Sequence, residues 1–331
     1  LDLNTAASTT WRRLAPDSPF YFFEPSNNDF RAEYVDGWRV SDIFPVNCAG
    51  FITARDHFVV GFDRDELLGR MADFANTNVT DEAIRKKYFV GRGSDKYPDG
   101  DTRGWKVPVA RRKVGTDKQW KNRVGECLYR PFDTRSIYWV EWMVDWPRPE
   151  VMRHLFAPRA LALSTSRSVE IDRFEHAWCA VLPMSHHTVT AKEVNYVFPL
   201  FLAPDDQDST LRLRTERKAN LAPAFLEALN FALGRSHVPG GEGADGPTPD
   251  EVFGYVYAVL HSPSFRKRYF EYLRSDFPRI PLPTPQVFTP LSAAGVELVG
   301  HHLMKVEYRP SALPTPVGEL TARVEKASFE R

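Results

Sequence analysis

The chain has 331 residues, 43% hydrophobic and 26% charged, with a formal net charge of zero. That is apolar material for one large domain or two smaller ones, and it excludes a chain disordered throughout. No apolar run approaches the ~20 residues of a membrane span, and three widely separated cysteines (Cys48, Cys127, Cys179) exclude a disulfide scaffold and a cysteine-rich zinc site.

The first part reads as short strands and turns. Pro19 to Phe23 is an aromatic run, and Trp38 to Phe44 alternates as a strand would. Phe51-Ile52-Thr53 and His57 to Phe62 read as two strands around Ala54-Arg55-Asp56. Asp63 with Glu66 three residues on marks a helix start, and Leu67, Leu68, Met71, Phe74 and Ala75 follow on one face. A shorter helix begins near Thr80 and carries Arg85-Lys86-Lys87. Residues 91–125 are polar, basic and punctuated by glycine, which predicts a loop or irregular hairpin. Strands are expected at Ile137 to Met143, Ala160 to Ser164, Ala177 to Leu182 and Tyr196 to Leu202, with a short helix from Pro149 to Phe156. Beyond about residue 219 the pattern turns helical. Asn220 is placed to cap a helix that Gly234 stops. Thr248-Pro249-Asp250-Glu251 is a capping box, Pro263 starts another helix, and a last one runs from about Gln286 to Leu303. The expected fold class is α+β: a β-rich domain over 1–219, a smaller helical subdomain over 220–305, and a tail over 306–331.

The neutrality hides an asymmetry. Residues 1–84 carry a net charge of −7 and residues 136–331 a net charge of −2, while the 51 residues between hold fifteen Lys/Arg against six Asp/Glu, a net +9. The fifteen are Arg85, Lys86, Lys87, Arg92, Lys96, Arg103, Lys106, Arg111, Arg112, Lys113, Lys118, Lys121, Arg123, Arg130 and Arg135, interleaved with Tyr88, Tyr97, Trp105 and Trp120. Such a stripe suits an anionic partner: Lys and Arg neutralise phosphates, and Arg also reads guanine edges. The bland reading is a solvated polar face, or a face for an acidic protein.

Other motifs carry less. Gly241 to Gly246 matches G-x-G-x-x-G but falls between two helical segments and contains two acids, so it reads as a linker. Phe89-Val90-Gly91-Arg92-Gly93 matches the F-x-G-x-G loop of methyltransferases that use S-adenosylmethionine (AdoMet), yet no helix pattern follows it. The tetrapeptides Asn-Pro-Pro-Tyr and Asp-Pro-Pro-Tyr are both missing, so no AdoMet site and no catalytic residue is expected in this chain. Asp205, Glu216 and Lys218 could form a degenerate Mg²⁺-dependent nuclease set. His186-His187 and His301-His302 are adjacent pairs that diverge on any regular element, so no metal site is expected.

Several phrases go further. Trp38 to Asn47 leads into Gly50-Phe51-Ile52-Thr53-Ala54-Arg55-Asp56, and Tyr129-Arg130-Pro131-Phe132-Asp133-Thr134-Arg135 precedes an aromatic strand. Tyr196 to Leu202, Thr248 to Pro263 and Arg274-Ser275-Asp276-Phe277-Pro278-Arg279-Ile280-Pro281-Leu282 follow in order. Over residues 11–305 this resembles the C-terminal specificity region of type ISP restriction–modification enzymes. The resemblance implies target recognition on double-stranded DNA, serving an adenine-N6 methyltransferase and a translocase on the same polypeptide. AdoMet then belongs to that methyltransferase module. A chain that starts at Leu1 without Met or a leader fits a piece of such a polypeptide, with the tail leading to a further segment, in a reducing cytoplasm. In the Arg130–Arg135 phrase Pro131 is expected to fix the backbone and Phe132 to anchor it in the core, with Asp133 holding one of the two arginines and leaving the other free for phosphate or a guanine edge. The rival readings are a protein-docking module with a basic face and the degenerate nuclease.

Overall fold

A computed structural model describes residues 30–170, 173–204, 218–235 and 246–305. The described chain opens with α1 (Arg31–Val35), β1 (Trp38–Arg39) and α2 (Val40–Ile43), then β2 (Cys48–Ala49), α3 (Asp56–Val59) and β3 (Val60–Gly61). Three longer helices follow, α4 (Arg64–Ala75), α5 (Asp81–Tyr88) and α6 (Val107–Thr116), and then the hairpin β4 (Val124–Arg130) and β5 (Asp133–Tyr138). After α7 (Pro149–Met152) come β6 (Ala162–Ser166), β7 (Ala177–Ala180), β8 (Asn195–Pro199), β9 (Phe201–Leu202) and β10 (Lys218–Ala219). The rest is α8 (Pro223–Ala232), α9 (Pro249–His261), α10 (Pro263–Arg268), α11 (Phe270–Leu273), β11 (Arg279–Ile280) and α12 (Pro285–His302). The fold is α+β.

The central element is an antiparallel sheet in the order β2-β8-β6-β7. Strand side chains alternate between faces, and here both faces are covered. Leu163, Cys179 and Phe198 enter one core with Phe225, Leu229, Phe253, Val256 and Leu260 of α8 and α9. Their neighbours Ala162, Ala180 and Val197 enter a second core with Phe58, Leu67, Phe74, Trp105 and Ile137. The second core holds the other main sheet, β3-β5-β4, and helices α4 to α6. The cores interleave along the chain. Val40, Ile43 and Phe44 pack with the C-terminal helices, and β1 pairs with β11 through Trp38 opposite Ile280.

Several expectations change. Trp38–Phe44 gives only two strand residues, because Val40, Ile43 and Phe44 stand at the 3–4 spacing that buries one side of a helical turn. The stretch His57–Val59 is helical. The Thr53 hydroxyl accepts from Arg55 N and bonds to Asp56, which draws the chain into a turn where a strand was expected. Residues 91–125 contain α6, whose Val107, Ala110 and Val114 are buried at helical spacing beneath a dense cover of basic residues. Asn220 does not cap α8, which starts after Ala222. Its buried amide accepts from Val46 N at 2.9 Å and donates to Val46 O and Pro199 O at 2.8 Å, tying segments far apart in sequence. The Thr248/Glu251 capping box is present on α9.

Helices α9 and α12 touch backbone to backbone. A Cβ built on Gly295 would lie 1.8 Å from the Gly254 carbonyl oxygen, and one on Gly254 would lie 2.5 Å from the Ser292 carbonyl oxygen. Both glycines are there for close approach. Gly295→Ala forces the helices apart and is expected to cost about 2–3 kcal/mol, read as a lower midpoint in urea unfolding.

The sheet side of that helix pair holds a histidine cluster. His261 accepts from Arg266 at 3.1 Å and packs against Tyr257 and His302, and His302 stacks on Trp178 at 4.5 Å. Burial, with Arg266 second, pushes His261 down to about 3, and burial lowers His302 as well. Unfolded histidine titrates near 6.5, so the unfolded chain binds these protons first. The stability held by the neutral rings is complete above pH ~6.5 and drains as pH falls toward 3. Melting temperature is expected to decline already between pH 6.5 and 5, and His261→Gln should flatten that decline.

Candidate nucleic-acid interface

The fifteen basic residues separate into two groups. Arg111 belongs to the interior: its guanidinium donates to the carbonyls of Phe74 (2.8 Å), Asn76 and Val79 (both 2.6 Å) and pairs with Asp81. It closes the C-terminal end of α4 and its following turn onto α6. Arg85 and, more distantly, Lys106 meet the buried carboxylate of Asp101, at 2.7 and 3.8 Å. Lys87 pairs with Asp73 at 2.8 Å and Arg123 with Asp117 at 3.0 Å. Arg135 is held by Asp133, its Nε 3.1 and 3.0 Å from the two carboxylate oxygens and its Nη2 2.9 Å from one of them. Arg130 donates to the Tyr129 carbonyl and lies over the Tyr129 ring at 4.5 Å.

Eight cations remain. Lys86, Arg92, Lys96, Arg103, Arg112, Lys113, Lys118 and Lys121 are exposed, and none meets a carboxylate within ion-pair distance among the described residues. Lys113 lies 5.1 Å from the Trp142 ring and Lys121 5.6 Å from the Trp120 ring.

Arg92 and Arg135 both line a cleft of about 620 Å³, with Asp56, His57, Phe62, Glu66, Arg70, Tyr129 and His186. Arg135 lies 4.5 Å from the Phe62 ring and 4.3 Å from the Tyr129 ring, so Tyr129 is flanked by two guanidinium groups. The Asp133 carboxylate raises Arg135 above its ordinary value. Arg70 is spent internally, on the carbonyls of His57, Phe58 and Val60 and on Glu66. Asp56 sits at the start of α3 and accepts from the Tyr129 hydroxyl at 3.2 Å and from Thr53. Burial lowers His57 and His186, so both rings are neutral at pH 7. Ala54 lines the same cleft at φ +55, a conformation that costs an alanine roughly 1 kcal/mol or more.

Asp56, Tyr129 and Arg70 do not stand out in the sequence as cleft residues. Tyr129 and Asp56 are 73 positions apart and meet only because β4 returns beside α3. Phe132 is not the internal anchor the sequence suggested. It is 60% exposed at φ +61 and turns the β4–β5 hairpin, with its ring edge-on to Trp178 at 4.9 Å. A second cleft of about 320 Å³ lies between Lys106, Lys113, Glu141 and Asp145. The buried Arg55 at its base lies 4.4 Å from the Trp105 ring and donates to Met143 O.

Phe89 of the F-x-G-x-G match follows a helix and is buried in an aromatic cluster with Phe58, Phe74 and Trp105. Gly241 to Asp245, Asp205 and Glu216 lie outside the described residues; Lys218 is in β10, opposite Leu202. Among the described residues, no group of three or more His, Cys, Asp or Glu side chains could hold a metal ion, and no helix is long and apolar enough to cross a membrane.

A family model of the Type ISP C-terminal specificity domain matches residues 42–331, and the chain belongs to that family. It is thus a specificity domain of the type ISP restriction–modification class. No curated protein matches it in sequence. The solved structures that share its fold include the following three. LlaBIII, an ATP-dependent Type ISP restriction-modification enzyme bound to DNA, superposes with a TM-score of 0.60 at 18% identity, over 93% of this chain and 19% of that one. The DrdV–DNA complex gives 0.58 at 21%, over 84% and 26%. A nuclease-deletion mutant of the Type ISP enzyme LlaGI, in complex with a DNA substrate mimic, gives 0.53 at 19%, over 82% and 23%. The chain therefore spans about a fifth to a quarter of each of these polypeptides.

Neighbours in sequence have opposite roles in this arrangement. Arg111→Ala leaves three carbonyls and Asp81 without their cation and is expected to cost about 3 kcal/mol of stability. Arg112→Ala, one residue on and exposed, should stay within ~0.5 kcal/mol of the parent. Urea unfolding of the two variants side by side checks this.

Proposed function

We propose that this chain recognises a specific site in double-stranded DNA as the target-recognition part of a restriction–modification enzyme. The observation that carries the reading is the surplus of cations. After internal pairing, one segment of the second core still presents eight unpaired Lys and Arg to solvent. Self-association gains nothing from such a surface, and a polyphosphate neutralises it. Family membership supports the same reading, as do the DNA complexes of LlaBIII, DrdV and LlaGI.

In this reading Lys86, Lys96, Arg103, Arg112, Lys113, Lys118 and Lys121 supply phosphate contacts, which set register and affinity but not sequence. Arg85, Lys87, Lys106, Arg111 and Arg123 maintain the scaffold beneath them. Arg130 and Arg135 are braced at the hairpin. The chain would present its site to an adenine-N6 methyltransferase and a translocase elsewhere on a longer polypeptide. AdoMet would bind in that methyltransferase module.

Duplex binding is expected to weaken steeply with salt. If about five of the free cations reach phosphates, the log–log slope of affinity against salt is near −4 to −5. Lys113→Ala should reduce it by about one, equally for all duplexes. A flat slope in fluorescence-anisotropy titrations from low to physiological salt would sink the reading.

A further inference from the structure

Internal pairing leaves the large cleft with one opposite pair of charges. Arg70 is consumed by Glu66 and three carbonyls, and Arg135 by Asp133. His57 and His186 are neutral at pH 7. What remains is the carboxylate of Asp56 and the guanidinium of Arg92, both exposed and both lining the same cleft.

Both groups are held from behind. Asp56 takes one hydroxyl on each carboxylate oxygen, from Thr53 and Tyr129, and a carboxylate has about four acceptor sites, so roughly two stay open. Arg92 sits in a closed loop. Its N–H donates to Phe89 O at 3.0 Å, and its carbonyl accepts from Gly100 at 3.2 Å. Ser94 and Tyr97 exchange backbone bonds at the loop tip, and Asp99 caps Gly91 N. The backbone is braced while the guanidinium is free, so little ordering is left to do on binding.

A carboxylate is misplaced in a groove meant for phosphates, because it repels them. In the major groove it has one favourable partner: an exocyclic amino group, N4 of cytosine or N6 of adenine. A free guanidinium lining the same cleft matches O6 and N7 of guanine. We propose that this cleft is where bases are read, Asp56 accepting from the amino group of a cytosine or adenine and Arg92 donating to a guanine. The proposal rests on the DNA-recognition reading and assigns specificity to two residues outside the phosphate-contacting set.

The test is selection of bound duplexes from a randomised pool by the full chain, with the parent, Asp56→Asn and Arg92→Ala compared at one salt concentration. Asp56→Asn keeps the shape but presents an amide donor. It should lose about 10-fold or more of its preference at one position, which shifts toward guanine or thymine, with the salt slope unchanged. Arg92→Ala should lose a guanine preference of similar size at another position. Melting of each variant separates a structural role: if Asp56 serves only to hold Tyr129, Asp56→Asn melts lower and selects the parental site. That result overturns the proposal, as does equal tightening of Asp56→Asn to every duplex, the mark of a carboxylate that merely repels phosphate. In both cases DNA recognition stands. A parent chain that enriches no site, with a flat salt slope, removes the recognition reading and this proposal together.

Discussion

The four-stranded sheet β2-β8-β6-β7 is buried on both faces, and the rest of the molecule depends on that. A sheet with one wet face alternates apolar and polar residues. This one buries every residue of β6, Ser164, Thr165 and Ser166 as fully as Ala162 and Leu163, so each face must carry its own covering layer. Leu163, Cys179 and Phe198 call for α8, α9 and α12; Ala162, Ala180 and Val197 accept the layer that holds the hairpin and α4 to α6. The basic segment is therefore mounted on a rigid plate whose far side is locked by the α9–α12 contact and the Asn220 clamp.

That mounting explains how one stretch of chain carries two kinds of cation. Where a basic side chain falls on the inner face of α5 or α6, its charge is met by a carboxylate or by the free carbonyls at a helix end, as with Arg85 and Arg111. Burying such a charge is tolerable only with full pairing. Where it falls outside, as with Lys86 and Arg112, water solvates it and nothing neutralises it. The same helices thus need arginine for folding and leave lysine and arginine available to a polyanion.

The hairpin β4–β5 links this surface to the helical side. Its turn residue Phe132 reaches Trp178 of the central sheet, and Trp178 stacks on His302 at the end of α12. Arg130, paired with Asp133, and Arg135, paired with Cys127, flank Tyr129 from the same hairpin. The part of the cleft wall formed by Tyr129 and Arg135 is consequently set by the sheet.

The sequence by itself determined the class of fold, the family and the location of the excess positive charge. These rest on signals local in sequence: the capping box at Thr248, prolines at helix starts, aromatic strand runs, and the Arg-Pro-Phe-Asp-Thr-Arg phrase. Local signals failed where a long-range partner decided the conformation. The helix α6 was hidden because its third inner position is Arg111, a charge that becomes an interior residue only when the end of α4 offers it carbonyls. Asn220 read as a cap because Val46 and Pro199, its real partners, are distant in sequence. Phe132 read as an anchor because nothing nearby shows that the turn needs a left-handed residue there. Which cations are free, and that Asp56 and Arg92 line one cleft, are decided by tertiary structure alone. Pairing of charges depends on distance in space, and a chain order carries no record of that until folding has brought residues 56, 92, 129 and 135 around one cleft.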